Sequence, residues 1–281
     1  MALTAAEQFM LELVNRARLD PLGEAARHGI SLNQGLAPGQ LHSSARGALA
    51  PDAALELAAS RHSTWMLATD VFSHTGVNTS TPSQRAQSAG YEGWGAGENI
   101  SWRGTTGTLN LQATIAQQHS DLFLSPGHRV NILHDSYRDI GIAQEAGAFR
   151  ANGVTFNASM VTQNFSTQPD VHYVTGVVYS DLDGDRFYSI GEGRGGAVFS
   201  TAGDRTTSAS AGGYALEAVE GGFVTVSGTV GTRSFSVKIL VEEVNAKLDV
   251  LNANTFHASA DVTLVSGIHN ARLIGSDRKS T

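Results

Sequence analysis

Apolar residues recur along the chain with two different periods, and the change between them falls near residue 168. In the first part helical spacing dominates. Phe9 and Leu13, and Met10 and Val14, lie one turn apart, and Thr4 with Glu7 forms a Thr-x-x-Glu capping box, so a helix is predicted from about residue 4. "ALAPDAALELAASRHSTWMLATD" places Leu55, Ala58, His62 and Met66 near helical spacing; a further helix is predicted around 108–123, and "HRVNIL" begins a short one. "AGENISW" reads as a turn entering a strand, and "DIGIAQEA" and "TFNASMVTQNFS" alternate as strands do. Beyond "STQPD" the pattern is all-β. "VHYVTGVVYS", "GGAVFSTA", "GGYALEAV", "GFVTVSGTV", "TRSFSVKILV" and "HASADVTLV" are short alternating runs separated by Gly, Ser and Asp, as in a β-sandwich. The expected class is therefore α+β: a mixed first domain over 1–168, an all-β sandwich over 169–268 with the boundary at 167–171, and a tail over 269–281, "HNARLIGSDRKST", with no clear element.

Composition narrows the function. The 281 residues suit two domains, and 41% hydrophobic content suffices for two cores. A net charge of −7 with only 16% charged residues argues against nucleic-acid or anionic-membrane partners, whose binding rests on a basic surface. The absence of cysteine removes disulfides, thiolate metal sites and cysteine nucleophiles. No apolar run of about 18 residues is present, so no transmembrane segment is expected. The N-terminal run lacks the basic start and small-residue cleavage site of a signal peptide.

Three segments place chemistry at the ends of elements. "SPGHRVNIL" sets His128 beside a Pro-Gly break, where Pro126 and Gly127 are expected to end the preceding helix. "FSHTG" sets His74 just past the helix of Trp65 and Met66, and "GENI" sets Glu98 between a glycine and a strand. Two imidazoles and a carboxylate suffice for a divalent metal with an open position, zinc being the best suited, or for general acid–base chemistry. His62 and His119 lie on helices and read as packed histidines; Asn99 reads as a backbone anchor, and Arg129 as the partner of a local carboxylate. Tyr91, Trp94 and Trp102 bracket the "GEN" turn and read as core residues.

The ordered segments "ELVNRAR", "AASRHSTWM", "FSHTG", "TPSQRAQSAGY", "GENI", "SPGHRVNIL", "DIGIA" and "TQNFS", over about 5–167, resemble the CAP superfamily. This family comprises the cysteine-rich secretory, antigen 5 and pathogenesis-related 1 proteins, or SCP domains; the match is to its bacterial form. The resemblance implies an α-β-α sandwich with a central cleft holding two His and two acidic residues. His74, His128 and Glu98 match three of these positions. The second acidic position falls by spacing on Ser125, with His119 and Asp121 nearby, a departure from the family pattern. The resemblance also implies a secreted or extracellular protein, exported by a signal outside this chain or by a C-terminal address.

The second domain carries "DLDGDRFYSIGE". Asp181, Asp183, Asp185, the Phe187 carbonyl, Ser189 and Glu192 fall at positions 1, 3, 5, 7, 9 and 12 of a calcium loop of EF-hand spacing, with Arg186 in place of the usual glycine and strand-like flanks. "GVVYSDLDGDRFYSIGEGRGGAVFS" resembles the calcium loops of SdrD B-type and carboxypeptidase-regulatory-like β-sandwich repeats, which implies a structural calcium ion.

Three functions remain open at this stage. The first is a binding protein whose cleft holds a metal and a small lipid or peptide ligand, with an extracellular or cell-surface partner. The second is a metal-assisted hydrolase using the cleft; with one acidic residue to serve as both ligand and base it is the less favoured, and no G-x-S-x-G or H-E-x-x-H motif supports it. The third is a structural, adhesin-like surface protein.

Overall fold

The computed structural model describes residues 2–219 and 221–275. The first half contains α1 (Ala5–Leu19), α2 (Pro21–Arg27), β1 (Ala50–Pro51), α3 (Ala53–Thr69), a 3-10 turn at Val77–Thr79, α4 (Pro82–Ser88), β2 (Gly97–Thr105), α5 (Leu111–Leu124), α6 (Pro126–Ile132), β3 (Asp139–Ala151) and β4 (Val154–Ser166). The four strands form one sheet in the order β1-β3-β4-β2, antiparallel except for the β1/β3 pair. The predicted capping box is formed: Thr4 Oγ1 accepts from Glu7 N and Glu7 Oε2 accepts from Thr4 N.

Strand alternation sorts β4 between two helical layers. Val161 and Phe165 join the core shared with α1 and α5, while Ala158 and Met160 pack with Met66 of α3. Thr162 meets Ser63 of α3 through their hydroxyls at 2.8 Å. The result is the expected α-β-α sandwich. Arg18 of "ELVNRAR", fully buried, ties it together by donating to the carbonyls of Gly47, Ile132, His134 and Tyr137, so that α1 holds the exit of α6.

The second half contains β5 (His172–Tyr179), β6 (Val198–Ser200), β7 (Arg205–Thr207), β8 (Gly213–Ala218), β9 (Gly222–Val230), β10 (Arg233–Val241), β11 (Ala246–Leu251), β12 (Thr255–Ala258), β13 (Val262–Ser266) and β14 (Asn270–Leu273). They form two five-stranded sheets, β13-β10-β9-β6-β7 and β14-β12-β11-β5-β8. Phe199, Tyr214, Phe235 and Phe256 fill the space between them, with Phe199 and Tyr214 stacked at 3.8 Å. Three strands, β7, β11 and β14, lie outside the predicted runs, and one run proves to be two strands. "HASADVTLV" is two strands, β12 and β13, broken at residues 259–261. β11, "AKLDVL", is buried throughout although it carries Lys247 and Asp249. The tail expected to lack structure forms β14, because β12 offers it a parallel partner; residues 276–281 of that tail lie outside the described residues.

The two halves share a polar and apolar seam. Lys247 Nζ lies 2.8 Å from Glu12 Oε2 of α1 and also pairs with Asp249. Phe187 meets Phe9 edge-on at 6.2 Å and lies under the guanidinium of Arg16. No helix among the described residues is long and apolar enough to cross a membrane.

Candidate functional site

The site forms around β2, the edge strand of the first sheet. α3 stops at Asp70 in the left-handed conformation (φ 54°), and the chain leaves towards His74. His62, buried and stacked on Trp65, holds this exit: its Nε2 lies 2.9 Å from Ser73 O. Glu98, second in β2 and buried, receives two partners. His74 Nδ1 is 2.8 Å from its Oε1, and Arg85 Nη2 of α4 donates to its Oε2 at 2.5 Å. Arg85 Nη1 also donates to Ser80 O and His74 O, at 2.8 and 3.1 Å. Gly76 leaves room for this cluster: a Cβ there would sit 2.9 Å from Arg85 Nη1 and 3.1 Å from His62 Nδ1.

His128 arrives from the other side of β2. Pro126 ends α5 as expected, Ser125 before it being extended (ψ 121°), and it also starts α6 at the first helical position, where its missing N–H costs nothing, so that His128 sits in that first turn. Its Nδ1 is 2.8 Å from Ser125 Oγ, so the residue standing at the second acidic position contacts the second histidine directly. Asp121 instead pairs with Arg103 at the surface. Asn99 anchors backbone, donating to His128 O at 3.3 Å, and Asn131 donates to Asn99 Oδ1 and Glu98 O. Arg129 has a different role from the one expected. Fully buried, it caps the end of α5 by donating to Phe123 O, Leu124 O and Gln34 O rather than to a carboxylate.

Burial, and then the nearby His74, push the His128 imidazole below its ordinary pKa. Burial does the same to His62, against the pull of Glu98. Both rings are therefore neutral near pH 7. His74 and Glu98 meet directly and His128 lies within electrostatic reach of His74, although the donor atoms of the three do not all fall within 4.8 Å of one another. With Nδ1 of each ring engaged, Nε2 is the atom each histidine retains for a ligand. Val71, Phe72 and Val77, near His74 in the sequence, and Trp94, four residues ahead of Glu98, are exposed. Of the three aromatics expected in the core, Tyr91 is buried with its hydroxyl on Asp139, and Trp102 packs on Phe149, but Trp94 is 78% exposed.

In the acidic loop, Asp181, Asp183 and Asp185 each bring an oxygen within 4.8 Å of the others. Arg186, in the position where a glycine was expected, takes the left-handed conformation that position demands (φ 63°). Ser189 Oγ donates to Asp183 Oδ2 at 3.1 Å, and the Phe187 amide donates to Asp185 Oδ1 at 2.6 Å. Glu192, buried, spends its oxygens on the amides of Leu182 and Ser189, at 2.6 and 2.8 Å, and so closes the loop on itself.

Two features escaped the sequence. Arg85 lies within the quoted "TPSQRAQSAGY", but its pairing with Glu98 spans 13 residues and no spacing rule announces it. Glu24, His28 and His119 form a second His/carboxylate cluster; Glu24 and His28 are one helical turn apart, the only local signal, whereas His119 joins from α5.

The family model described as CAP, Cysteine-rich secretory protein family, matches residues 11–165. No curated protein matches the chain. Among solved structures it is similar to an extracellular SCP-domain protein from Bacillus anthracis str. Ames, with 21% identity over 58% of this chain and 40% of that one and a TM-score of 0.37. It is also similar to the protein BmVAL-1, with 15% identity over 58% of this chain and 76% of that one and a TM-score of 0.34. An outer surface protein from Borrelia burgdorferi has 17% identity over 43% of this chain and 77% of that one, with a TM-score of 0.31. The chain thus covers 40% of the length of the Bacillus anthracis protein.

Proposed function

The chain belongs to the CAP, or cysteine-rich secretory protein, family, and from that premise we propose that it is an extracellular binding protein whose cleft takes a small amphipathic ligand, a lipid or apolar peptide. The polar end of the ligand docks at the His74 and His128 imidazoles. Its apolar part lies along Val71, Phe72 and Val77.

The observation that carries this reading is the buried Glu98 pinned between His74 Nδ1 and Arg85. A carboxylate on one ring nitrogen fixes the tautomer and turns the other nitrogen outward as an acceptor, the arrangement that supports metal-binding histidines. The donor set suits a zinc ion held by the His74 and His128 Nε2 atoms, which would supply Lewis acidity towards an anionic head group. In this reading Glu98 orients His74 rather than acting as a third ligand, since its Oε1 faces His74 Nδ1 and its Oε2 faces the Arg85 guanidinium. Ser125 stands at the second acidic position, so with Glu98 orienting His74 there is no second carboxylate at that place to act as a hydrolytic base, which favours binding over hydrolysis.

The acidic loop is assigned a structural calcium ion on Asp181, Asp183 and Asp185, supported by their convergence and by the left-handed Arg186. A panel of fluorescent fatty acids and apolar peptides, offered to the full chain with and without zinc, tests the cleft. Phe72→Ser and His128→Ala are each expected to weaken binding at least about tenfold. No saturable binding of any probe, or binding unchanged by both substitutions, would overturn the reading.

A further inference from the structure

We infer that Glu24, His28 and His119 form a second divalent-metal site, selective for zinc-like ions, between α2 and α5 and apart from the cleft around β2. Glu24 lies in α2, His28 caps its C-terminus and His119 lies in α5. One carboxylate oxygen, Glu24 Oε1, is 3.2 Å from His28 Nε2 and 2.9 Å from His119 Nε2. Three donor atoms of the type and number that hold zinc at an open site therefore already converge.

The surroundings are those of a built site. Glu24 and His119 are buried at about 1% exposure, while the His28 side chain keeps 14% exposure and gives the cluster its contact with solvent. Ser120 Oγ lies 3.2 Å from His28 Nδ1, the outer contact that orients a ligating ring. Phe123 packs against both imidazoles. The His119 ring is aimed by its packing instead, since its Nδ1 is buried with no partner among the described residues and its Nε2 is the atom turned to Glu24.

Arg16 is the opposing charge. It donates to Glu24 through Nε to Oε2 and Nη2 to Oε1, both at 2.8 Å, and Arg27 lies 3.6 Å from Oε2. The Nε bond can hold Oε2 while Oε1 turns to the ion, and the Arg16 guanidinium is itself anchored over Phe187. The balance of charge predicts modest affinity. Binding also requires both rings in the form with a free Nε2 lone pair, with the displaced protons released to solvent.

The test uses the full chain with His74→Ala and His128→Ala already in place, so that the cleft cannot contribute, and with calcium in excess to fill the carboxylate loop. Zinc is titrated calorimetrically, and cobalt is followed by its visible absorption. One equivalent of zinc and a cobalt band of four-coordinate type are expected, with affinity falling at least about tenfold on adding His28→Ala. His28 is the most exposed of the three, so this variant should fold, and its thermal unfolding is measured alongside; His119→Gln serves as a second variant. Retention of the zinc site in the double variant together with its loss in the triple would support this inference even if the cleft reading fails. No zinc uptake by the double variant, or uptake indifferent to both His28→Ala and His119→Gln, would mean that the cluster is an ion-pair network only and would overturn it.

Discussion

Glu98 is the residue on which the cleft turns, because it satisfies a histidine and an arginine from a buried position at the start of β2. Its replacement by Gln keeps the shape but leaves the Arg85 guanidinium, itself buried, without a counter-charge. Glu98→Gln is expected to lower the unfolding free energy by about 3 kcal/mol, read by denaturant titration. On the proposed zinc site it is also expected to lower zinc affinity by about 10–100-fold, since His74 would lose its tautomer lock. Stability and affinity both unchanged would remove Glu98 from the account. Asp139 gives a second prediction. Burial pushes its carboxyl up to about 6 from 3.8, against the hydrogen bonds from Tyr91 and the Gln168 amide. The folded protein therefore holds a proton between about pH 4 and 6 that the unfolded chain releases, so this group's contribution to stability declines as pH rises through that window. Asp139→Asn should remove that part of the slope in melting temperature against pH. An unchanged slope would show that Asp139 is not its source.

Among the elements, α3 packs against β3 at close backbone approach. A Cβ on Gly141 would lie 2.0 Å from the carbonyl carbon of Leu55 and 2.3 Å from Glu56 N, both backbone atoms that move only if the helix moves. Gly141→Ala is therefore expected to cost about 1–3 kcal/mol or more by thermal denaturation, and to loosen the α3 exit that carries His74. A variant as stable as the parent would contradict the close approach. Much at this scale was legible, because α1, α3, α5, β3 and β4 are long and α1 and α3 begin at recognisable capping residues, Thr4 and Asp52. What the sequence hid depends on distant partners. β11 hides two charged residues in a seam that only α1 completes, and β14 exists only because β12 presents an open edge. The candidate histidines were legible from their place beside turns. The role of Glu98 was not, because Arg85 meets it through the fold rather than through local spacing. That α6 opens at Pro126 itself was not legible, because a proline that only ends one helix and one that also opens the next look alike without the dihedral angles.

Across the whole molecule, the seam couples the sandwich to the half that carries the candidate site. Burial pushes Glu12 up to about 6 against the pull of Lys247. Burial also opposes the charge on Lys247, but Asp249 and Glu12 outweigh it and hold the ammonium above its ordinary value. Lys247→Met would leave two buried carboxylates without their cation and is expected to cost about 3–5 kcal/mol. The acidic loop reaches the same seam: Ile190 N donates to Gln112 Oε1 of α5, and Phe187 packs on α1. Calcium removal by a chelator should thus lower the melting temperature, with the sandwich losing amide protection before the first half. Equal melting with and without chelator would rule out a structural ion in the loop.

The most direct test of the central claim is a crystal soaked in zinc and read by anomalous scattering around β2. The account predicts a peak within about 2.0–2.1 Å of both the His74 and His128 Nε2 atoms, with Glu98 still on His74 Nδ1 and Arg85 still on Glu98. A cleft without a peak, or a peak ligated by Glu98 with Arg85 displaced, would contradict it.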